Sequence, residues 1–370
     1  MSFLLSVTFV EVMSYIGYIL IALLCLMAMI VIHEFGHYIA GKIFKFKINE
    51  FSIGFGPALF KIKNKRNGEL FSLRLLPLGG YCAFEGEDTQ GESSEEGNFN
   101  SKPPWQRIIV LFSGALFNFI SAIIIISIFF MSYGEILPSV SDSYTIYSDK
   151  ELTTVIEQPL RQGDIILELD GKKMYSLINS DVAFKYLANK DNVEAVIVRD
   201  GQKKTLQLQK YYYEIKSGAD DTVGELREGF GISMTYSAYK LGFFQSIGHS
   251  FEFGWDVIEL LFESVGKVFT GSAKIGETFG GTATAISSLV EVSRQGLYSI
   301  MYAVCVLSAC MAIMNILPFP ALDGSKIVFC IIEWIRGKPV NRKVESVIHF
   351  VGLILLILLA VILDILHFTG

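Results

Sequence analysis

Charge is scarce in this chain. Asp, Glu, Lys and Arg make up 18% of its 370 residues, against about 25% in soluble domains. Apolar side chains make up 51%, which excludes disorder over most of the length and disfavours a soluble enzyme of one or two domains. A basic balance is also missing. The formal net charge of −6 argues against a nucleic-acid partner, because phosphate binding needs a basic face. The five cysteines (Cys25, Cys82, Cys305, Cys310 and Cys330) show no CxxC spacing. Four fall in apolar runs and read as small buried hydrophobes, so no disulfide framework is expected. No repeat of roughly 20–50 residues is visible, and no organic cofactor is expected. No Lys or Arg precedes the first apolar run, which is also too long for a signal-peptide core.

What the chain has instead is long apolar runs. Residues 15–32, 108–133 and 297–322 carry no charge and can cross about 30 Å of hydrocarbon as helices. A fourth run, 347–363, is near the minimum and carries His349 at its edge. Lys and Arg in short loops set orientation. Residues 1–14 contain none, segment 41–107 ten and the connection 323–346 five, and nothing basic follows the fourth run. The consistent solution puts both termini outside the cytoplasm and the loops 41–107 and 323–346 within it. Residues 134–296 are then an outer region. Asp170-Gly171 and Asp200-Gly201 mark hairpins there, beside strands at 165–169, 193–199 and 203–209. Residues 245–270 read as a helix with Ile247, Phe251, Trp255, Ile258, Phe262, Val265 and Phe269 on one face. That face either lies in the outer membrane interface or packs on the β-rich part. The acidic stretch 85–96 reads as a solvated loop. Asp364 and His367 read as residues placed at the outer interface, and His249 and His349 show no ligand-like spacing.

His33-Glu34-Phe35-Gly36-His37 closes the first run. If the helix continues, His33 and His37 stand at i and i+4 on one face. Two imidazoles so placed can share one Zn²⁺, with Glu34 between them as general base. Ionisable residues at membrane depth are functional by default. A catalytic zinc needs a third protein ligand and an open position for water. The third run ends Asn315-Ile-Leu-Pro318-Phe-Pro320-Ala-Leu-Asp323-Gly324. Its prolines cannot sit inside a regular helix. They break the run and leave Asp323 facing a cavity, where a carboxylate is costly unless paired or bound to metal. Asp323 is therefore the expected third ligand. Under the charge count, both elements end on the cytoplasmic side.

These motifs resemble those of the site-2 proteases, zinc metalloproteases that cut within membranes, in particular the bacterial type that cleaves anti-sigma factors. The pattern N-x-x-P-x-P-x-L-D-G matches in full at residues 315–324 and H-E-x-x-H at 33–37. The resemblance covers nearly the whole chain. It implies an α-helical polytopic membrane protein: four transmembrane helices, a membrane-associated β-hairpin region and an extracytoplasmic PDZ-like α+β domain. The expected parts are a first transmembrane helix (1–40), a cytoplasmic membrane-associated β region (41–104) and a second helix (105–133). A PDZ-like domain (134–216) and an outer amphipathic helical segment (217–296) follow. A third helix with its cytoplasmic loop (297–346) and a fourth helix (347–370) complete the chain.

Carried over by residue, the resemblance implies one zinc per chain on His33, His37 and Asp323, with Glu34 catalytic. Gly114-Ala-Leu-Phe-Asn118 is similar to the family's G-x-x-x-N, so Asn118 and Asn315 are implied to contact the substrate backbone or the oxyanion. Residues 46–84 fit the family's β region, and Asn67-Gly68 independently predicts a hairpin turn. An edge strand at Phe51, Ser52, Ile53 and Gly54 is expected to hold unwound substrate by strand addition. The PDZ-like expectation rests on Pro159-Leu-Arg-Gln-Gly163-Asp164-Ile-Ile166, without a clear Gly-Φ-Gly-Φ loop for a carboxylate. Phe279-Gly280-Gly281-Thr282 stands where the family usually shows Gly-Pro.

The expected function is that of a zinc-dependent intramembrane metalloendopeptidase. Its partners would be the lipid bilayer and single-span transmembrane substrates, such as anti-sigma factors or signal-peptide remnants. Its place would be a bacterial plasma membrane, with the active site near the cytoplasmic side. Two alternatives stand beside it. One is a membrane zincin of another family, taking a downstream Glu such as Glu333 as third ligand. The other is a non-catalytic scaffold or receptor sensing peptides through the outer domain, which has no need of Glu34.

Overall fold

The computed structural model describes residues 9–87, 97–174, 186–216, 224–272 and 280–369. The acidic residues beyond Glu87, and Phe279, lie outside the described residues. The chain forms two units, one of residues 1–129 with 247–370 and one of residues 130–246.

The α-helices among the described residues include α1 (Phe9–Ile43), α2 (Pro104–Tyr133), α3 (Phe243–Phe269), α4 (Thr282–Arg294), α5 (Leu297–Ile316), α6 (Asp323–Arg336) and α7 (Arg342–Thr369). Among the described residues, α1, α2, α5 and α7 are long and apolar enough to cross a bilayer. The third apolar run does not continue to 322 as one helix. Pro318 and Pro320 have no amide to donate and clash with the preceding turn, so α5 stops at Ile316 and α6 opens on Asp323. Between them Ala321 takes φ 79°, a strained conformation for a residue with a Cβ.

α1 and α2 meet backbone to backbone. A Cβ on Gly36 would lie 2.8 Å from the Ser113 carbonyl carbon and 3.0 Å from Gly114 Cα, so this approach requires glycine. Arg107, near the start of α2, is buried. It pairs with Glu333 of α6 and donates to the Lys102 carbonyl at 3.1 Å. Arg342 of α7 lies 3.3 Å from Glu333 and 2.7 Å from Glu345. One ionic network thus joins α2, α6 and α7.

α3 lies along α2 and α5. The Ser127 hydroxyl donates to Ser250 at 2.7 Å, and the Phe253 and Tyr302 rings meet edge to face. The buried line of α3 is Ser250, Phe253 and Val257, whereas Phe251, Trp255 and Phe262 of the expected stripe point outward. Asp364 of α7 does more than occupy an interface. It accepts the amides of Ala283 (3.0 Å) and Thr284 (2.9 Å) and the Thr284 hydroxyl (2.7 Å), and so caps the start of α4.

Between α1 and α2 come β1 (Ile48–Lys63) and β2 (Leu70–Phe84). The hairpin is more folded than a simple pair. Residues 50–53 of β1 pair with 80–83 of β2 on one side and with 70–73 on the other, while 60–63 pair again with 70–73. Inside the bend, the Arg74 guanidinium donates to Glu50 (2.7 Å), Tyr81 (2.7 Å), Ser52 (2.9 Å) and the Gly56 carbonyl (2.8 Å). Burial raises the Glu50 carboxyl's affinity for its proton, yet hydrogen bonds from Ser72, Arg74 and Tyr81 hold it below the ordinary carboxylate range. Phe60, Ile62 and Leu75 are exposed outside.

The second unit is strand-rich. Its strands are β3 (Glu135–Ser143), β4 (Ile146–Tyr147), β5 (Val155–Ile156), β6 (Ile165–Leu169), β7 (Lys172–Lys173), β8 (Asn192–Arg199), β9 (Gln202–Gln209), β10 (Tyr211–Lys216), β11 (Gly224–Gly229) and β12 (Ile232–Tyr239). One sheet runs β12-β3-β6-β8-β9 with β7 on β6, and a second runs β11-β10-β4-β5. Asp170-Gly171 and Asp200-Gly201 both take positive φ, as tight hairpins between right-twisted strands require. Buried Asp164 is held by Arg199 at 2.6 Å. β11 and β12 fall within 217–296, the stretch expected to be helical. β12 pairs along the whole of β3, a long-range partner that its own sequence does not announce.

Candidate metal centre

α1 places His33 and His37 one turn apart, and α6 brings Asp323 to them. Asp323 Oδ2 lies 3.0 Å from His33 Nε2 and 3.2 Å from His37 Nε2, and the two Nε2 atoms are 3.2 Å apart. The three donor atoms form a nearly equilateral triangle. Tetrahedral zinc with bonds of about 2.0–2.2 Å sets its ligands roughly 3.3–3.6 Å apart, so a slight expansion fits the triangle to one ion. Two imidazoles and one carboxylate are a catalytic donor set that leaves a fourth position open. Among the described residues, this is the one group of three His, Cys, Asp or Glu side chains close enough to share a metal.

The surroundings fix these side chains. His37 Nδ1–H donates to the Val110 carbonyl of α2 at 2.8 Å, which turns the Nε2 lone pair toward the triangle. α2 presents bare backbone to the rings at Gly114. A Cβ there would lie 2.6 Å from His37 Cε1 and 2.8 Å from His33 Cε1. Asp323 is held through the turn that precedes it. His349 Nδ1 of α7 accepts the Ala321 amide at 3.2 Å, and Pro320 packs on Gly352. The Ser325 hydroxyl donates to the Leu322 carbonyl at 2.8 Å.

Glu34 lies beside β2. A Cβ on Gly80 would stand 3.5 Å from Glu34 Cγ. Asn118 is fully buried one turn beyond Gly114, and neither polar atom of its side chain has a hydrogen-bond partner. An amide so buried costs about 1–3 kcal/mol. Asn315 is half-buried in the last turn of α5. Strand addition at Phe51, Ser52 and Ile53, with Gly54 following, needs correction. Those three residues already pair on both sides, so no free edge remains there. The unpaired edge of this sheet nearest Glu34 is the Gly80–Cys82 part of β2.

Glu333 is held by Arg107 and Arg342 and lies outside the metal-sharing group, which removes it as third ligand. Several contributors had no individual signal in the sequence reading: Val110 acts through its backbone, and His349 lacked ligand spacing. Gly36 lies within the H-E-x-x-H motif and Gly114 opens the G-x-x-x-N pattern, but neither pattern announces that the two helices touch there.

The sequence profile of Peptidase family M50 matches residues 21–359. A Fusobacterium nucleatum protein named "Putative zinc metalloprotease" is 33% identical over 91% of this chain and 94% of its own length. A Clostridium perfringens protein named likewise is 30% identical over 94% and 97%. The regulator of sigma-W protease RasP of Bacillus subtilis is 25% identical over 89% and 93%. With its four apolar helices and its His-His-Asp triangle, this chain belongs to peptidase family M50, the site-2 proteases, and is a zinc-dependent metallopeptidase of the membrane.

Proposed function

We propose that the chain hydrolyses peptide bonds within single-span transmembrane helices, with His33, His37 and Asp323 as the zinc ligands and Glu34 as the catalytic base. The observation that carries this reading is the 3.0–3.2 Å triangle of donor atoms with Glu34 beside it. Bound zinc would supply a Lewis acid for the scissile carbonyl and an acidified water. Glu34 takes the proton of the attacking water and passes it to the leaving nitrogen. Asn118 offers its unpartnered amide to the oxyanion, and Asn315 steadies the substrate backbone. A helix hides its peptide bonds, so the substrate must unwind locally. The outer edge of β2 at Gly80 and Cys82 takes the unwound segment as an added strand.

The Lys and Arg count supports a site near the cytoplasmic side and termini outside, in a bacterial plasma membrane. RasP is named as a regulator of sigma-W. By that likeness, anti-sigma factors are the first substrate class to test, ahead of signal-peptide remnants. Residues 134–216 would serve as the core of an outer PDZ-like domain. The test is cleavage of a single-span helix by the lipid-reconstituted protein, read by product mass. A cut inside the span that is lost in Glu34→Gln and after chelation supports the reading. Cleavage that persists in Glu34→Gln overturns it.

A further inference from the structure

α6, which opens on Asp323, carries apolar side chains on its outward face as well as its inward one. Its polar side chains turn inward: Lys326 pairs with Glu87 at 2.7 Å, and Glu333 with Arg107 and Arg342. Its apolar side chains divide: Ile327 and Cys330 pack inward, whereas Val328, Ile331, Trp334 and Ile335 turn outward and are 37%, 40%, 60% and 82% exposed. A helix on a water-facing surface keeps its outward face polar. An outward apolar face is stable only against an apolar medium. Exposed apolar side chains also flank α6 along the chain, on the spans before and after it. Met314, Ile316 and Phe319 precede it and Val344, Val347 and Phe350 follow it, all exposed. At the end of α6 the exposed side chains become cationic: Arg336, Lys338 and Lys343.

We propose that α6 lies in the membrane interface as an anchor that recognises an anionic phospholipid surface. Acyl chains cover Val328, Ile331, Trp334 and Ile335. The phosphates sit at Arg336, Lys338 and Lys343, where a negative surface attracts clustered Lys and Arg. Since the first residue of α6 is Asp323, the seat of this helix in the lipid also sets where that carboxylate meets His33 and His37. The inference rests on the exposure pattern and not on the proposed reaction.

The test uses intrinsic fluorescence of the full chain in vesicles, with wild type compared to Trp334→Phe. The difference between the two isolates the Trp334 emission from that of Trp105 and Trp255. In phosphatidylglycerol vesicles, that component should be quenched by lipid brominated high on the acyl chain and shielded from acrylamide. In phosphatidylcholine vesicles, bromolipid quenching should weaken. The triple variant Arg336→Gln, Lys338→Gln, Lys343→Gln should lose this dependence on headgroup charge. A Trp334 component open to acrylamide and indifferent to bromolipid overturns the anchor. Equal quenching in both lipids overturns recognition of the anionic headgroup. Neither result depends on whether the protein cleaves a helix.

Discussion

Replacing Gly114 by alanine adds one carbon where two metal-facing rings already stand. The new Cβ would lie 2.6 Å from His37 Cε1 and 2.8 Å from His33 Cε1. Non-bonded carbons prefer about 3.5–4.0 Å, so the shortfall is about 1 Å. α2 cannot retreat by that amount without opening the Gly36 contact one residue away, where the helices touch backbone to backbone. The rings must move instead, and His37 must strain its 2.8 Å bond to Val110. A misplacement of about 1 Å at a reacting centre costs on the order of 10²-fold in rate. Loss of an outer partner of a ligand costs roughly 10–100-fold in metal affinity. Gly114→Ala should therefore lower kcat/KM by about 10²-fold or more and reduce retained zinc. Gly17 of α1 is the control, since a Cβ there meets nothing within 4 Å. Gly17→Ala should keep full activity and gain roughly 0.5–1 kcal/mol of helix stability. The assay is cleavage of a test helix in vesicles beside zinc content by mass spectrometry. A folded Gly114→Ala with full zinc and wild-type turnover refutes the geometry.

Three further outcomes follow from other contacts. His349→Leu removes the acceptor of the Ala321 amide and should lower kcat by roughly tenfold or more with little change in KM, because the turn carries about 1–3 kcal/mol of strain; His349→Asn, which keeps an acceptor at that depth, should recover most of the loss. Glu333→Ala should leave zinc binding intact while destabilising the fold by about 3–5 kcal/mol, since it orphans buried Arg107; Asp323→Ala should do the reverse, and thermal melts beside metal analysis distinguish them. Asp364→Ala should cost about 0.5–2 kcal/mol and speed amide exchange at Ala283 and Thr284, with protection in the middle of α7 unchanged.

The chemistry of the site was legible because it is written locally. Two histidines one turn apart, and an aspartate just past two helix-breaking prolines, carry their meaning within a few residues. The zinc triangle then needed only a shared membrane side. What supports it was hidden because each partner is remote in sequence. His349 meets Ala321 across 28 residues, and Asp364 meets Thr284 across 80. The hairpin was visible in Asn67-Gly68, but its bend was not. A turn signal says that two strands pair and does not say that one pairs twice, so Phe51, Ser52 and Ile53 were misjudged as an edge. For α3 and α6 a second apolar face is left pointing outward. An apolar stripe is read as pointing to the core, as it does in water, so the outward exposure of Phe251, Trp255 and Phe262 was not announced by their spacing.

α7 is tied down at two distant points. Near its start His349 holds the turn before Asp323, and near its end Asp364 holds the first turn of α4. The ties lie fifteen positions apart on the helix, about 22 Å of stiff rod. A rod fixed at both ends behaves as a lever. It cannot swing aside at one end to widen an opening without pulling on whatever is fastened to the other. Any movement of α7 that admits a new helix is therefore mechanically geared to the carboxylate that completes the His-His-Asp triangle. Opening the protein and arming it would then be one motion, not two.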